Sequence, residues 1–211
     1  MNPIQSHYEK LAATVIKNLE KRQMEGYYFS TAKEAVDKAM SLITPNATVG
    51  FGGSMTLVES GMLEALRACP SIQLLDRDAV PAEEKNNIFR QSLLSDTYFM
   101  STNAMTVDGE LVNIDGNGNR VAALIYGPTE VILLVGMNKI VPSVEEAVNR
   151  VRNVATPPNC IRLNRQTPCS VTGACGDCLS PDCICNQIVI TRRSGTKGRI
   201  KVLLIGEGLG F

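Results

Sequence analysis

Apolar residues recur along the chain with two spacings, one typical of helices and one typical of buried strands. Residues 6–23 carry apolar side chains at helical spacing, and residues 31–43 repeat the pattern after a short extended stretch. The near-continuous apolar run at 130–136 is typical of a strand that is buried on both faces. Helical and strand patterns therefore alternate from one end of the chain to the other.

The same periodicity predicts most of the remaining elements. Further helices are expected at 57–66, 81–94, 120–126 and 143–154, and Pro157-Pro158 is expected to end the last of them. Further strands are expected at 48–51, 71–75, 97–101, 187–192 and 199–205, with a hairpin at 103–114 that turns at Asp108-Gly109. This order predicts a single α/β domain over residues 1–211, a Rossmann-like sandwich around a largely parallel sheet.

Composition narrows the class of protein further. The 211 residues carry 21 basic and 21 acidic side chains, so no basic excess favours nucleic acid as a partner. No apolar run approaches the roughly 20 residues of a membrane span. The N-terminal residues form an amphipathic pattern without the apolar core of a signal segment, which predicts a reducing, cytoplasmic location. The sequence does not define the oligomeric state and is compatible with a homodimer.

Five of the seven cysteines fall within residues 167–186, which we call the cysteine segment. Its other residues are mostly Gly, Pro, Ser, Thr, Asp and Asn, which cannot form a hydrophobic core. Clustered thiolates can hold an iron–sulfur cluster or a tetrahedral zinc ion, whereas disulfides require an oxidising compartment. We therefore predict a metal-binding loop within the domain.

The spacing favours a four-iron four-sulfur cluster, with zinc as the alternative. A single CxxC pair is flanked by isolated cysteines, unlike the two separated knuckles of most zinc sites. The predicted ligands are Cys169, Cys175, Cys178 and Cys185. Cys183 and Cys185 point in opposite directions in an extended chain, so only one of them is expected to ligate. Cys160 is a candidate to replace a ligand, and unligated thiols are the remaining alternative.

A glycine-rich junction follows the strand predicted at residue 48. We call residues 52–56, Gly52, Gly53, Ser54, Met55 and Thr56, the glycine turn. A turn between a strand and a helix directs backbone N–H groups at one point, which suits a carboxylate or a phosphate. The alternative is a tight turn that only packs the strand against the helix. The glycines at residues 206–210 have no helix after them, so we assign them no binding role.

Several polar residues near predicted strand ends are candidates for catalysis. The principal ones are Glu59, Asn103, Asp115 and Lys139, and Asp108, Glu110 and Asn119 are secondary. Glu59 could act as a base or a nucleophile, or be a solvated helix charge. Lys139 could bind a carboxylate or phosphate, or be an ordinary surface lysine. The only histidine, His7, lies near the N-terminus, which makes histidine-based acid–base chemistry improbable.

Three blocks resemble the LUD domain family, the lactate-utilisation proteins formerly called DUF162. They are VGFGGSMTLVESG, DGELVNIDGNGNRVAALIYGP and EVILLVGMNKIV. The resemblance extends from about residue 8 to the end. It implies a fold similar to the superfamily of ribose-5-phosphate isomerase, glucosamine-6-phosphate deaminase and coenzyme A transferase (NagB/RpiA/CoA transferase-like). Some members act beside iron–sulfur subunits in the oxidation of L-lactate to pyruvate.

The cysteine segment resembles a shorter, stand-alone branch that ends in a TPC…C..C.SP..IC pattern. Cys169, Cys175, Cys178 and Cys185 match that pattern, and Cys183 occupies a position where another residue is usual. We expect a redox protein or one that metabolises a small carboxylate or phosphate, with a redox partner protein. The alternative is a non-catalytic binding or electron-carrier protein with a structural zinc or iron–sulfur site.

Overall fold

A computed structural model describes residues 2–211. Its main sheet has six parallel strands in the order β1-β10-β7-β4-β2-β3. The strands of this sheet are β1 Glu25–Phe29, β2 Thr48–Phe51, β3 Gln73–Leu74, β4 Thr97–Met100, β7 Glu130–Gly136 and β10 Ile200–Ile205.

A second, four-stranded sheet has the order β8-β5-β6-β9. Its strands are β5 Ala104–Thr106, β6 Leu111–Asp115, β8 Ile140–Val141 and β9 Gln187–Thr191. The helices are α1 Pro3–Lys21, α2 Ala32–Ser41, α3 Met55–Glu59, α4 Met62–Ala68, α5 Lys85–Ser92, α6 Asn119–Ile125, α7 Val144–Arg150, α8 Thr156–Arg162 and α9 Pro168–Thr172, with a 3₁₀ turn at Met137–Lys139 and a π-helical turn at Val151–Ala155.

Strand β7 lies near the middle of the main sheet and is buried on both faces. Val131, Leu133 and Val135 pack into a core with helix α1. Ile132 and Leu134 pack on the opposite face in a core with helices α2 and α3. The apolar run of β7 therefore serves both layers of helices, as its composition predicts.

Local signals explain where the well-predicted helices begin. Thr31 and Glu34 form a capping box at the start of α2, in which each side chain accepts a hydrogen bond from the other residue's backbone. Asn2 caps α1 by accepting from the Ile4 amide, and Pro3 occupies the first turn, where its missing N–H costs nothing.

Two predicted helices differ from the observed ones. The helix expected at 57–66 is two short helices, because Gly61 adopts a left-handed conformation with φ of 81° between α3 and α4. Pro157 and Pro158 do not end the helix expected at 143–154. They lie in the first turn of α8, after the π-helical turn, where a proline needs no amide partner.

The last two strands belong to different sheets. Strand β9 pairs antiparallel with β6, and β10 enters the main sheet between β1 and β7. The predicted hairpin is present as the antiparallel pair β5 and β6, with Gly109 at a φ of 89° in its turn. In the part of the chain that the structure describes, no helix is both long and apolar enough to cross a membrane.

Candidate functional site at the carboxyl edge of the main sheet

Four neighbouring parallel strands, β10, β7, β4 and β2, end at the same edge of the main sheet, and the segments that follow them line a cavity. It has a volume of about 270 Å³. Its charged lining residues are Arg77, Asp115, Arg120, Lys139, Arg162 and Arg165. Five basic side chains thus face one acidic side chain. The carboxyl edge of a parallel sheet is where open α/β folds bind their ligands.

Lys139 lies at the base of this cavity, three residues after the end of β7. Only 4% of the residue is exposed. Its ammonium donates to the Thr56 hydroxyl at 2.7 Å and to the Ser101 hydroxyl at 3.2 Å. An ammonium group has three N–H donors, so these two hydroxyls leave one donor for a ligand.

The surroundings of Lys139 disfavour its positive charge. Burial, reinforced by the nearby charges of Arg150 and Arg120, lowers its pKa from 10.5 to about 7, against a weaker opposite effect of Glu59. A lysine of this kind is partly protonated at neutral pH. It can therefore either bind an anion or exchange a proton with one.

The two glycines of the glycine turn make room for two arginines. A Cβ atom at Gly52 would lie 3.1 Å from Arg120 Cγ and Cδ, and one at Gly53 would lie 3.1 Å from Arg77 Nη1. Both distances are shorter than ordinary carbon contacts. The glycines thus let two guanidinium side chains approach the backbone at the end of β2.

Arg120 is held by a full set of acceptors. It donates to the side-chain oxygens of Asn113 and Asn103 at 2.6 and 2.9 Å, and to the carbonyls of Ile114 and Ser101 at 3.0 and 3.3 Å. The Asp115 carboxylate lies 3.3 Å from Arg120 Nε. Arg120 therefore joins the end of β4 to β6. Most of its N–H donors are used by protein oxygens and are not available to a ligand.

The C-terminal residues 206–211 fold back over Lys139. The Gly210 amide donates to the Glu59 carboxylate at 2.6 Å, and the Thr56 hydroxyl donates to the Leu209 carbonyl at 3.2 Å. Arg150 donates to the carbonyls of Asn103 and Phe211 at 2.7 and 3.3 Å. Phe211 itself lines the cavity. This segment, to which the sequence assigns no role, thus encloses the buried lysine.

Most of the predicted anion-binding and catalytic residues meet at this edge. Gly53, Ser54, Met55, Asn103, Asp115, Asn119 and Lys139 line the cavity. Thr56 lies under it and is bonded to Lys139. Gly52 was expected to present its amide to a ligand, but that amide donates to the Phe99 carbonyl at 2.9 Å, within the sheet.

Three other predicted residues lie outside the cavity lining. Glu59 faces the C-terminal segment instead. Glu110 forms an ion pair with Arg22 at 3.0 Å, and Asp108 borders a separate depression with Arg192 and Arg193. The helix that follows the glycine turn has only five residues, and the Ser54 side chain caps it. Its positive end therefore contributes less than the sequence pattern indicates.

The cysteine segment contacts two parts of the continuous helical stretch 144–162, which comprises α7, the π-helical turn and α8. Cys160 of α8 lies with its sulfur 3.6 Å from that of Cys169. The Cys185 thiol contacts the Thr156 hydroxyl at 3.8 Å, and Thr156 lies one turn before Cys160 on the same helical face. The Cys185 amide in turn donates to the sulfur of Cys183 at 3.4 Å.

The CxxC pair contacts the same helical stretch nearer its N-terminal end. The Cys175 amide donates to Asn153 at 3.4 Å, and Asp177 forms an ion pair with Arg152 at 3.0 Å. Asn153 precedes Cys160 by seven residues, which is about 10 Å along a helix. Within the described residues, Cys175 does not join Cys160 and Cys169 around one metal position.

All seven cysteines are free thiols. Burial raises the pKa of Cys160 to about 11 and that of Cys185 to about 12, so both are protonated at neutral pH. Within residues 2–211, no three cysteine, histidine or acidic side chains are placed to hold one metal ion. The predicted ligands have the right chemistry for an iron–sulfur cluster, but they do not converge, and the four-cysteine site stays a prediction.

The cysteine segment also forms part of the cavity wall. Ile184, between Cys183 and Cys185, lines the cavity together with Thr156. A Cβ atom at Gly116 would lie 3.3 Å from the Ile184 backbone, so the segment packs closely on the turn after β6. Any movement of these cysteines therefore alters the cavity.

Sequence reasoning missed Arg77, Ser101, Arg120, Arg150 and Phe211 as residues of this site. Ser101 directly follows an apolar strand, as Asn103 does, and that position could have indicated it. Arg77 and Arg150 carry no such signal, because only the folded chain brings them to the sheet edge.

Comparisons with known proteins agree with this architecture. The LUD domain model matches residues 12–205. Curated proteins give no significant match. Among solved structures, a DUF162 family protein from Deinococcus radiodurans is 13% identical, with a TM-score of 0.54 over 94% of this chain and 98% of that chain. Ribose 5-phosphate isomerase A from Neisseria gonorrhoeae is 14% identical, with a TM-score of 0.36 over 54% of each chain.

The Deinococcus structure shares the fold over nearly the whole of both chains. Together with the six parallel strands, it confirms the expected α/β class with a parallel main sheet. The family match covers most of the sequence and includes the glycine turn, the buried strand β7 and Lys139. The chain belongs to the LUD domain family.

Proposed function

We propose that the chain binds a small anionic metabolite, a carboxylate or a phosphate, in the cavity at the carboxyl edge of the main sheet and uses Lys139 in its turnover. One observation carries the proposal. Lys139 is a buried cation whose protein partners are two hydroxyl groups, and it forms no ion pair within residues 2–211. A buried charge without a counter-ion is costly, and an anionic ligand would offset that cost.

The charge of the cavity supports the same function. The five basic lining residues outnumber Asp115, the one acidic residue, and Asp115 is already paired with Arg120. Of the other four, Arg77 and Arg165 lie 3.5 and 3.8 Å from the carboxylates of Asp78 and Asp182, and Lys139 and Arg162 have no ion pair within residues 2–211. Such a site attracts anions over a distance and binds them more weakly at high salt.

In turnover, the role we propose for Lys139 is that of an acid–base group. With a pKa of about 7, it can accept a proton from a bound substrate and return it at the pH of the cell. The Thr56 and Ser101 hydroxyls orient the amine, and the Arg120 network fixes Asn103 in the lining of the same cavity.

Isothermal titration calorimetry with L-lactate and inorganic phosphate tests the proposal. The wild-type protein should bind at least one of them, and Lys139→Met should weaken the binding of L-lactate by about tenfold or more, as expected for the loss of a charged hydrogen bond to its carboxylate. Lys197→Met, which removes an exposed lysine, is the matched control and should change nothing. Equal affinity in the wild type and Lys139→Met would refute the role of Lys139.

We propose a second, redox function for the cysteine segment, in which a four-iron cluster exchanges electrons with a partner protein. The observation that favours it is that Ile184, between Cys183 and Cys185 in the sequence, lines the anion cavity. Anaerobic purification followed by iron, sulfide and zinc counts tests it. Four iron and four sulfide ions per chain support the redox role, whereas zinc alone would leave a structural role only.

A further inference from the structure

Arg77 is a cation in the cavity that lacks hydrogen-bonding partners. Its Nε is buried and makes no hydrogen bond to any residue between 2 and 211. The nearest carboxylate oxygen, from Asp78, is 3.5 Å from that nitrogen, and the same carboxylate is bound by Arg67 at 3.1 Å. A guanidinium has five N–H donors that are costly to leave unsatisfied.

Packing holds Arg77 in place without using its donors. Its guanidinium carbon lies 5.1 Å from the centre of the Phe89 ring, within cation–π distance. Its terminal nitrogens lie next to Gly53, where a Cβ atom would be 3.1 and 3.4 Å from them. Arg120, on the other side of the same turn, has its donors filled by protein oxygens. Of the two arginines beside the glycine turn, Arg77 is the one with donors to spare.

Two basic side chains with N–H donors that lack a protein acceptor therefore line one cavity. They are Arg77 at the glycine turn and Lys139 after β7. Lys139 keeps one N–H donor beyond its two hydroxyl partners. The cavity has a volume of about 270 Å³, which is far more than one water molecule needs. It can therefore hold a ligand with two acidic groups joined by a short linker.

We propose that the ligand is a phosphate ester of a short hydroxy acid, whose phosphate is bound by Arg77 beside Gly53 and whose carboxylate is bound by Lys139. The fork of Arg77 matches the oxygens of a phosphate, and the single free donor of Lys139 suits one carboxylate oxygen. The five basic side chains of the lining outnumber its one carboxylate, Asp115, which suits a ligand with two to three negative charges. This inference rests on the proposed small-anion function and specifies its ligand class.

Calorimetry with 2-phosphoglycolate and its two halves, methyl phosphate and glycolate, tests the assignment. The whole ligand should bind at least about tenfold more tightly than either half, because each half makes only one charged contact. Arg77→Gln should weaken 2-phosphoglycolate and methyl phosphate but leave glycolate unchanged. Lys139→Met should weaken 2-phosphoglycolate and glycolate but leave methyl phosphate unchanged.

Two controls accompany these variants. Arg77→Lys keeps the charge without the fork and should bind methyl phosphate with intermediate affinity, which separates recognition from loss of fold. Arg193→Gln removes an exposed arginine outside this cavity and should leave all three affinities unchanged.

The outcomes separate this inference from the function on which it rests. If 2-phosphoglycolate binds no more tightly than glycolate while Lys139→Met still weakens glycolate, the site binds a simple anion and the two-group ligand is wrong. The same conclusion follows if Arg77→Gln leaves every affinity unchanged. If the wild-type protein binds none of these anions or L-lactate, the proposed function fails and the inference fails with it.

Discussion

At the scale of single residues, Lys139 both lowers the stability of the folded protein and enables it to bind an anion. Its ammonium is buried between hydroxyl groups, near the positive charges of Arg150 and Arg120. Burying a charge in this way destabilises the folded protein, since water solvates the ammonium better in the unfolded chain. A bound anion would offset this destabilisation, so the same residue favours anion binding.

Lys139→Met should therefore stabilise the protein at neutral pH, by on the order of 1 to 4 kcal/mol. The folded-state pKa of about 7 lies below the usual value of 10.5, so the unfolded chain holds more protons between those pH values. The contribution of Lys139 to stability consequently rises with pH across that window. The Met variant should lose this rise, as measured by urea unfolding from pH 6 to 10.

Lys197→Met provides the comparison, because Lys197 is exposed. The free energy of unfolding of this variant should depend on pH as that of the wild type does. A Lys139→Met variant that is less stable than the wild type at pH 7 would mean that the ammonium contributes net stabilising hydrogen bonds.

Some residues of the site could be predicted from the sequence and others could not. Lys139 and Asn103 follow apolar strands closely, and strand ends in an α/β fold meet at one edge. Arg77 follows a strand of only two residues, and Arg150 lies in the last turn of a helix, where a basic residue is common anyway. Their part in the site depends on tertiary packing, which no local pattern encodes.

At the scale of elements, the C-terminal segment 206–211 closes the site. Gly210 has a φ of 64°, and a Cβ atom there would lie 2.7 Å from the Thr56 hydroxyl oxygen and 3.3 Å from Lys139 Nζ. The segment can approach the lysine this closely only because residue 210 lacks a side chain.

Gly210→Ala should destabilise the protein by about 1 to 3 kcal/mol and weaken anion binding, because the added methyl group displaces Thr56 or the segment itself. Urea unfolding and calorimetry measure the two effects. Gly195→Ala is the matched control, since a Cβ atom at Gly195 meets nothing within 4 Å. If the Gly210 variant behaves like the Gly195 variant, the segment does not order the site.

The cysteine segment leads to a separate prediction about metal content. If Cys169, Cys175, Cys178 and Cys185 hold a cluster, serine at Cys175 or Cys178 should abolish iron and sulfide binding, while serine at Cys160 or Cys183 should not. Binding would have to draw the CxxC pair toward Cys169, so residues 173–186 should gain hydrogen-exchange protection. Loss of metal in Cys160→Ser alone would instead assign the site to the Cys160–Cys169 pair.

Periodicity predicted the existence of most elements better than their ends. The capping box of α2 and the apolar run of β7 are local signals, and the structure contains both elements as expected. Gly61 and the Pro157-Pro158 pair show that apolar periodicity does not locate the ends of helices reliably. A glycine divided one predicted helix, and a π-helical turn carried another past two prolines. In each case the residue adopts a conformation that it commonly favours, but the apolar spacing does not show where a helix is interrupted or begins again.

At the scale of the whole molecule, pairings distant in sequence were beyond prediction. The second sheet joins β6 to β9 with Asp115 opposite Gln187, and it puts the cysteine segment beside the cavity. Nothing in the strand patterns distinguishes this pairing from a hairpin of the last two strands. The parallel main sheet, by contrast, follows from the alternation of strands and helices, and the family match agrees with it.

The pH dependence of carboxylate binding tests the central claim most directly. The affinity for L-lactate, whose carboxylate stays ionised throughout, should be measured from pH 6 to 9 at constant ionic strength. If Lys139 is the anion-binding cation, affinity in the wild type should fall as pH rises above the pKa of about 7 that the lysine has in the free protein, approaching tenfold per pH unit until the pKa of the lysine in the complex is reached. In Lys139→Met, binding should be weak and independent of pH. A wild-type profile that stays flat, or the same decline in the Met variant, would contradict the account.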